Sequence, residues 1–373
     1  MPATPVRRMS RGRVRSFLCR SAVVTVAAAV TAPLVSVSSA HATSAVPVSP
    51  VTVRVASDVV VSPGDDLQLA MSNLRAGDTL ELQSGVYRTG LIRPVVHPGT
   101  ATRPITIKAA DPAHTPLILG EMLLTNADYW YVSGLRLQAV DHARASLAMW
   151  GGSHWKINNS EMFGARQTTS LANVVIRNSP AGPPRGFVFS GNCVHDAAIA
   201  DPGMDHNMYV QFQGNNSAGG IIERNIIFGH PQGSGIKLGD GGVYAAPGPW
   251  HVMVRYNTIG RGGRQILLHG DVRNNSIRSN LFVYSTMPFT RSPKTTAMYM
   301  HDIVGRNNAY SNNYIFRASM VAFDPKKTVA DLGGNGLRPD PLLTGLSSCV
   351  GWRTHLAAAA AYGRYGTGTL PRW

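Results

Sequence analysis

The sequence predicts an all-β solenoid, a chain wound into stacked coils of short strands. Seven segments in the middle of the 373-residue chain share one pattern: an apolar residue, two small or polar residues, a residue that is usually Asn, and a second apolar residue two positions further on. Their fourth positions are 23 to 33 residues apart, which is the spacing of stacked repeat units, and none shows helical periodicity. The segments are Val132–Leu137, Ile157–Met162, Phe189–Val194, Ile222–Ile227, Val254–Ile259, Ile277–Phe282 and Tyr310–Ile315.

Asn recurs at the fourth position of these repeats, at 192, 225, 257, 280 and 313. Asn tolerates the left-handed backbone conformation that a tight bend between strands requires, so we expect each Asn to take that conformation. Stacked coils would then align the Asn side chains in a ladder. A β-sandwich with Asn-rich turns is the alternative, but a sandwich has no reason to repeat one bend at a nearly constant interval.

The repeats resemble those of the right-handed parallel β-helix of the pectate-lyase-like superfamily, over roughly residues 50 to 345. The resemblance implies a fold in which each coil adds one parallel strand to each face. A short helix is expected at the N-terminal end, within Asp66–Leu74, where it would cap strand edges that otherwise invite aggregation. The predicted fold class is therefore an all-β, right-handed parallel β-helix with a short N-terminal capping helix.

The first 42 residues are predicted to be a signal peptide. Six Arg precede an apolar stretch from Ser21 to Val37, and Ala40-His41-Ala42 forms a small-x-small cleavage site. We expect a secreted protein that begins at Thr43 and has no membrane span, because no later stretch reaches the roughly 20 apolar residues that spanning needs. Residues 43–62 are expected to be a linker or first edge strand, 63–345 the β-helix, and 346–373 a C-terminal cap and tail.

The mature chain is basic. Removing six Arg from the 35 basic residues leaves 29 against 20 acidic residues, a formal charge of +9. Such a charge favours a polyanionic partner, which for a secreted solenoid means an acidic polysaccharide before nucleic acid. A surface tuned only for solubility is the alternative. We expect a monomer.

Two cysteines remain after the signal peptide is removed, Cys193 and Cys349. Export favours a disulfide, but their spacing leaves open whether the tail that carries Cys349 reaches the coil that carries Cys193. No Cys/His spacing suggests zinc, so neither a metal nor a cofactor is expected.

The strands that follow the repeats can be aligned by their apolar core positions, which places Met208, Ile236, Ile266 and Met298 in one stack and Val210, Leu238, Leu268 and Met300 in another. Successive side chains of a strand point to opposite faces. The outward residues in register are then Tyr209, Lys237, Leu267 and Tyr299, flanked by Asn207, Gln211, Gln265, His269 and His301.

Two earlier residues extend this outward face, Arg177 beside Ile176 and Trp150 beside Met149. Aromatic rings bind the apolar faces of sugars and cations bind their carboxylates, so the face is a predicted sugar-binding groove. The predicted substrate-binding residues are Tyr209, Arg177, Trp150, Tyr299, His301 and Gln265. A mixed polar surface without a ligand is the alternative.

The opening of the mature chain, with Gly77-Asp78-Thr79, Gly85-Val86-Tyr87 and Pro104-Ile-Thr-Ile107, resembles the family-6 polysaccharide lyases, the chondroitinase B and alginate lyase group. In that family a Lys on one coil is the base, and the next coil carries an Arg in a Phe-Arg-His-Gly-Asp-like motif. Gly235-Ile-Lys237 matches the first motif. Residues 267–271 resemble the second with Leu268 in place of Arg.

Arg264 is the residue that could replace the missing cation. If Leu267 is the core residue, Arg264 faces the groove; if Leu268 is, His269 faces it. A lyase must remove the proton next to a uronate carboxylate while that carboxylate is neutralised, and a Lys near other cations can be the base. The predicted catalytic residues are Lys237, Arg264, His206 and His269.

His206 follows Asp205 in a segment rich in His and Asp. It is either an acid or base oriented by Asp205, or a buried His satisfied by the backbone. Glycoside hydrolysis is the rival reaction and needs two carboxylates, but none of Asp205, Asp240, Asp271 and Asp302 is at an outward position of the stack. The sequence thus favours a secreted lyase that acts by β-elimination on a uronate polysaccharide. A hydrolase, a uronate epimerase and a non-catalytic glycan-binding protein remain alternatives.

Overall fold

The structure is a computed structural model that describes residues 55–140, 145–166, 171–197, 206–239, 247–289, 292–350, 353–354 and 359–364. The predicted signal peptide lies outside these residues. Within them, no helix has the length and apolar character needed to cross a bilayer. The elements in chain order are β1 Asp58–Val61, α1 Leu67–Ser72, β2 Thr79–Leu82, β3 Val86–Ile92, β4 Ile105–Ala109, β5 Leu117–Thr125, β6 Trp130–Ser133, β7 Arg136–Gln138, β8 Leu147–Trp150, β9 Lys156–Asn158, β10 Glu161–Phe163, β11 Val174–Arg177, β12 Arg185–Ser190, β13 Cys193–His195, β14 Met208–Gln211, β15 Gly219–Glu223, β16 Ile226–Leu238, β17 Pro247–Trp250, β18 Val252–Arg255, β19 Thr258–Arg273, β20 Ser276–Arg278, β21 Leu281–Ser285, β22 Pro288–Phe289, β23 Ser292–Ile303, β24 Asn308–Ser311, β25 Tyr314–Phe316, β26 Met320–Phe323, β27 Val329–Asp331, β28 Gly336–Leu337, β29 Leu343–Thr344 and β30 Arg353–Thr354.

The chain is a parallel β-helix, as the sequence predicted. The coils contribute strands to three faces, and the strands of each face pair in parallel with their counterparts one coil away. The first face contains β1, β2, β4, β6, β9, β12, β15, β18, β20, β24 and β27. The second face runs through β7, β10, β13, the first half of β16, the first half of β19, β21 and β25. The third face runs through the end of β5, β8, β11, β14, the end of β16, the end of β19, β23 and β26.

The third face has the register that the core positions predicted. Met208 pairs with Ile236, Ile236 with Ile266 and Ile266 with Met298. These side chains are fully buried, as are their partners two positions further along each strand. Because alternation sends the intervening side chains outward, the same register aligns Tyr209, Lys237, Leu267 and Tyr299 on the outside of the core.

The predicted Asn ladder is present at the bend between the first and second faces. The backbone N–H of each Asn donates to the side-chain oxygen of the Asn one coil on, at 2.8 Å from Asn192 to Asn225 and 3.0 Å from Asn225 to Asn257. The ladder continues through Asn280 and Asn313 to Asn335. It satisfies backbone N–H groups that the bend removes from strand pairing.

The prediction that the ladder Asn residues themselves adopt the left-handed conformation is wrong. The left-handed residue is the one before the ladder position, with φ of 54° at Arg224, 52° at Tyr256 and 55° at Ser279. The ladder position is therefore occupied by Asn for its hydrogen bonds, since one amide both donates and accepts.

Near the N-terminus, β1 pairs with β2 at one end of the first face. Helix α1 follows, with Asp66 at its N-cap accepting from the backbone N–H of Leu69 at 2.9 Å. Leu67 and Met71 of this helix are buried against the core of the solenoid.

Cys193 and Cys349 form a disulfide, with their Cα atoms 5.5 Å apart, so the pairing that the sequence left open does occur. Beside it, Leu346 and Tyr362 pack on an apolar cluster that lies outside the second face. The described part of the C-terminal segment therefore lies along the side of the solenoid.

The third face carries the predicted site.

Candidate active site on the third face

Lys237 is held over an aromatic ring of the neighbouring coil. Its Nζ lies 4.3 Å from the centroid of the Tyr209 ring, because β14 and β16 pair with these two residues opposite each other. A ring face attracts a cation through its quadrupole, and the attraction is strongest where water is excluded. Here Lys237 and Tyr209 are each only 4% exposed.

Lys237 thus points away from the core, as its register predicted, but it is not exposed to solvent. The side chains on this outer column lie away from the core, but Leu267 is also only 8% exposed. Tyr299, at the end of the column, is half-buried. Lys237 and Leu267 therefore form the buried part of this column, and Tyr299 is its more exposed member.

Arg264 lies over the next ring of the same column. Its guanidinium carbon is 4.5 Å from the centroid of the Tyr299 ring. The side chain is half-buried, and within the described residues its Nε has no hydrogen-bond partner. Burial lowers the pKa of Arg264, but a guanidinium stays charged at any physiological pH. An unsatisfied N–H on a fixed cation is suited to a carboxylate.

The two alternative registers at this coil were expected to exclude each other, and that expectation is wrong. Leu268 is the core residue and is fully buried, so His269 follows it on the outer side, as that alternative predicted. Arg264 nevertheless reaches the face. Its backbone pairs with Ser234 at the corner between two faces, and from there its side chain extends over the ring of Tyr299.

Tyr299 keeps its proton at neutral pH. Burial raises the pKa of its hydroxyl, and the charge of Arg264 offsets part of that rise. Its ring also lies 5.3 Å from the ring of His301, with 29° between the ring planes. The face thus holds a proton donor next to its second cation.

A second column of outward residues runs beside the first. Trp150 pairs with Arg177, and Arg177 pairs with Gln211. The Arg177 guanidinium carbon lies 5.0 Å from the Trp150 ring centroid. At the far end of the column, His269 and His301 are opposite each other. The predicted binding residues Trp150, Arg177 and His301 are therefore brought together on one face with Lys237.

Gln265 is not on the surface of the groove, which corrects its predicted role. It is fully buried at the corner between the second and third faces, where its Nε2 donates to Ser285 Oγ at 2.8 Å. Asn207, predicted to flank the groove, is buried in the same layer. The corner inverts the usual alternation, so parity counted along the strand assigns both residues to the wrong side.

His230 belongs to this buried layer and was missed by sequence reasoning. Its Nδ1 accepts from Asn207 Nδ2 at 3.2 Å, while its Nε2 is 3.0 Å from the backbone oxygen of Arg264 and 3.2 Å from Gln265 Oε1. Burial is the main cause that lowers the pKa of His230 to about 4, so the ring is neutral and donates from Nε2. A hydrogen-bonded chain thus runs from Asn173 through Asn207, His230 and Gln265 to Ser285, behind the strands that carry the two cations.

The close approach of His230 depends on Gly262, since a Cβ there would lie 2.0 Å from His230 Nε2. The Gly262-Gly263 pair is the sequence signal that accompanies this site, but nothing in the sequence links it to a His 32 residues earlier.

His206 is buried, which supports the second of its two predicted interpretations. Its Nδ1 accepts from the backbone N–H of Ser234 at 3.2 Å. Burial lowers the pKa of His206 well below its usual range, and nearby positive charge, from Lys237 first, lowers it further. Its Nε2 is buried with no hydrogen-bond partner among the described residues. Asp205, its predicted orienting group, lies outside those residues.

Hydrolysis needs two carboxylates that face each other, and the two candidate acids among the described residues, Asp271 and Asp302, are each paired with another side chain instead. Asp271 binds Arg273 through both oxygens, at 2.6 and 2.8 Å. Asp302 lies 3.2 Å from His301. Asp205 and Asp240 lie outside the described residues.

No protein-family model matches this chain, and no curated protein does. Solved structures do. An alginate lyase from Paenibacillus sp. str. FPU-7 has a TM-score of 0.47 and 15% identity over 73% of this chain and 99% of its own. The family-6 alginate lyase AlyGC has a TM-score of 0.48 and 15% identity over 72% of this chain, which spans 40% of AlyGC. The pectate lyase Pel9A has a TM-score of 0.47 and 11% identity over 79% of this chain and 84% of its own.

At identities this low the likeness concerns the fold, so an activity has to be argued from the side chains of the third face.

Proposed function

We propose that the protein is a polysaccharide lyase that acts by β-elimination on an anionic, uronate-containing polysaccharide. The observation that carries the proposal is the pair of cations on adjacent coils, Lys237 over Tyr209 and Arg264 over Tyr299. Elimination next to a carboxylate needs a base and a separate positive charge, and the positions of Lys237 and Arg264 support these two roles.

In the proposed reaction the neutral amine of Lys237, in equilibrium with the cation that lies over Tyr209, removes the proton on the carbon that bears the carboxylate. Arg264 pairs with the carboxylate and stabilises the negative charge that develops on it. The electron pair of the broken C–H bond forms the new C=C bond and the glycosidic C–O bond breaks. The leaving oxygen takes a proton, which we assign to the hydroxyl of Tyr299.

The second column provides binding along the face. Trp150 offers a ring to the apolar face of a sugar, while Arg177 and Gln211 offer a cation and an amide. The predicted mature charge of +9 would attract a polyanion from a distance. Export after cleavage at Ala42 is part of the proposal, since such polymers are extracellular; an intact mass that begins at Thr43 would test it.

His206 has a supporting role in this proposal. A neutral, buried ring near Lys237 adds no positive charge of its own, and its centroid lies 5.7 Å from the centroid of the Tyr209 ring, with 62° between the ring planes. It therefore helps to hold the ring on which Lys237 rests.

The test is a comparison of Lys237→Met with Lys156→Met in the mature protein. Met retains the length of the side chain and removes the amine, which matters because Lys237 is buried and an Ala variant would leave a cavity. Lys156 is the matched control, because its Nζ lies 4.5 Å from the ring of Tyr131 on the first face. Both variants lose the same kind of contact, but only one loses the proposed base.

Each protein would be incubated with alginate, pectate, chondroitin and heparin, and unsaturated ends would be followed by ultraviolet absorbance. We expect elimination by the parent and by Lys156→Met, and a loss of at least 10³-fold in Lys237→Met, as for removal of a catalytic base. Elimination at the parent rate by Lys237→Met would overturn the assignment. Solvent deuterium in the polymer without unsaturated ends would indicate an epimerase, and binding without either product would indicate an adhesion protein.

A further inference from the structure

Three side chains of the types that bind metal ions lie close together at the end of the second column. His269 on β19 and His301 on β23 are paired in register, with ring centroids 5.1 Å apart and 24° between the ring planes. Asp302 follows His301. One ligand atom from each of the three lies within 4.8 Å of the other two.

A β-bulge brings Asp302 to this side of the strand. His269 pairs with His301, but the next pair is Gly270 with Ile303, so Asp302 is an extra residue in β23. Its φ is 48°, in the left-handed region that Asp tolerates better than most residues. In a regular strand Asp302 would point away from His301, whereas here its Oδ2 lies 3.2 Å from His301 Nε2. Bulges are frequent beside functional sites because they redirect a side chain in this way.

We propose that His269, His301 and Asp302 bind a divalent transition metal, with Zn²⁺ the best match. Imidazole nitrogens and a carboxylate oxygen are ligands that Zn²⁺ prefers, and three protein ligands leave one coordination position open. The side chains of His301 and Asp302 are 46% and 20% exposed, so the open position would face solvent and the groove.

Among the described residues, two other clusters of this kind lack this combination. His114 and Asp111 form an exposed pair, with 2.6 Å between Nδ1 and Oδ2, but no second His belongs to it. Cys193, His195 and Cys349 are close together, but the two sulfur atoms are joined to each other. The His114 and Asp111 pair is therefore a control for nonspecific binding to a surface His and Asp.

The site deepens the proposed function, on which this step rests. The second column leads along the face to His301, next to Tyr299. A metal at the end of the column would offer its open position to a carboxylate oxygen of an anionic sugar. His269, predicted as a catalytic residue, would then be a metal ligand in this proposal.

The experiment is a titration of the metal-free mature protein with Zn²⁺ by calorimetry, with the visible spectrum of bound Co²⁺ as a second readout. We expect one equivalent to bind, and His301→Ala and Asp302→Asn each to weaken binding at least tenfold. His114→Ala should bind as the parent does. Circular dichroism would confirm that His301→Ala is folded, which is expected because its side chain is half exposed.

Absence of Zn²⁺ binding by the parent would overturn the proposal, and so would parent-like affinity in His301→Ala. The lyase proposal is tested independently of the metal site. Lys237→Met should bind Zn²⁺ with the parent affinity and lack elimination. If the parent binds Zn²⁺ through these residues but eliminates none of the four polymers, the metal site stands and the lyase assignment does not.

Discussion

The Nζ of Lys237 lies 4.3 Å from the centre of the Tyr209 ring on the preceding coil. Both side chains are almost entirely buried, so the contact is shielded from water and restricts the amine to one position. A cation over a ring contributes about 2 kcal/mol when it is desolvated. The ring of Tyr209 is therefore a positioning group for the proposed base.

The first prediction concerns that ring. Tyr209→Leu should lower kcat for elimination by roughly 10-fold or more, because the amine of Lys237 would lose the ring that fixes its position, and a misplaced catalytic group reacts more slowly. Tyr209→Phe keeps the ring and should stay within about threefold of the parent. Steady-state kinetics on the polymer found in the screen would measure both. Equal rates for the Leu and Phe variants would mean that the ring does not position Lys237.

The second prediction concerns the neutralising cation. Arg264→Ala should lower kcat/KM by about 10²-fold or more, since a fixed charge that stabilises a developing anion typically contributes that much. Arg273→Ala is the matched control, because Arg273 also lies over a ring, 4.4 Å from the centroid of Trp250, and is paired with Asp271. A comparable loss in both variants would show that the effect of Arg264 is not specific to the site.

The third prediction concerns pH and the buried layer. The pKa of His230 is lowered to about 4, mainly by burial, whereas an unfolded His has a pKa of about 6.5. Below pH 6.5 the unfolded chain therefore binds a proton that the folded chain does not. Stability should fall as the pH decreases from 6.5 to about 4, by about 3 kcal/mol for this residue.

Urea denaturation at several pH values would measure that loss. His230→Gln retains an amide that can accept from Asn207 and donate to Gln265, but it does not titrate. Its free energy of unfolding should depend less steeply on pH over this range than that of the parent. An unchanged slope in His230→Gln would contradict the prediction.

The fourth prediction concerns the Asn ladder. Asn225 accepts from Asn192 N at 2.8 Å and donates to Phe189 O at 3.1 Å. Asn225→Ala leaves both backbone groups buried without a partner, so it should lower the free energy of unfolding by about 2 to 4 kcal/mol. Asn216→Ala, at an exposed turn, should change it by less than about 0.5 kcal/mol. Thermal or chemical denaturation would compare them, and equal stabilities would mean that the ladder contributes little.

The sequence by itself determined the parallel β-helix and the register of the strands on the third face. The repeats recur at a nearly regular interval, and the core positions on each coil are apolar, so stacking them in register needs no long-range information. That reasoning aligned Tyr209 with Lys237 and Lys237 with Leu267, as the structure has them. It works because neighbouring strands of a parallel stack share one face, and alternation then sends the intervening side chains outward.

Only the tertiary structure decided what happens where alternation fails. At the corner between the second and third faces, Gln265 turns into the buried layer with His230, while Arg264 extends over Tyr299. At the bulge in β23, Asp302 turns towards His301. Corners and bulges depend on contacts between coils some 30 residues apart, which no local pattern records. The tertiary structure also joined Cys193 to Cys349, because only the folded path of the chain brings the C-terminal segment beside the second face.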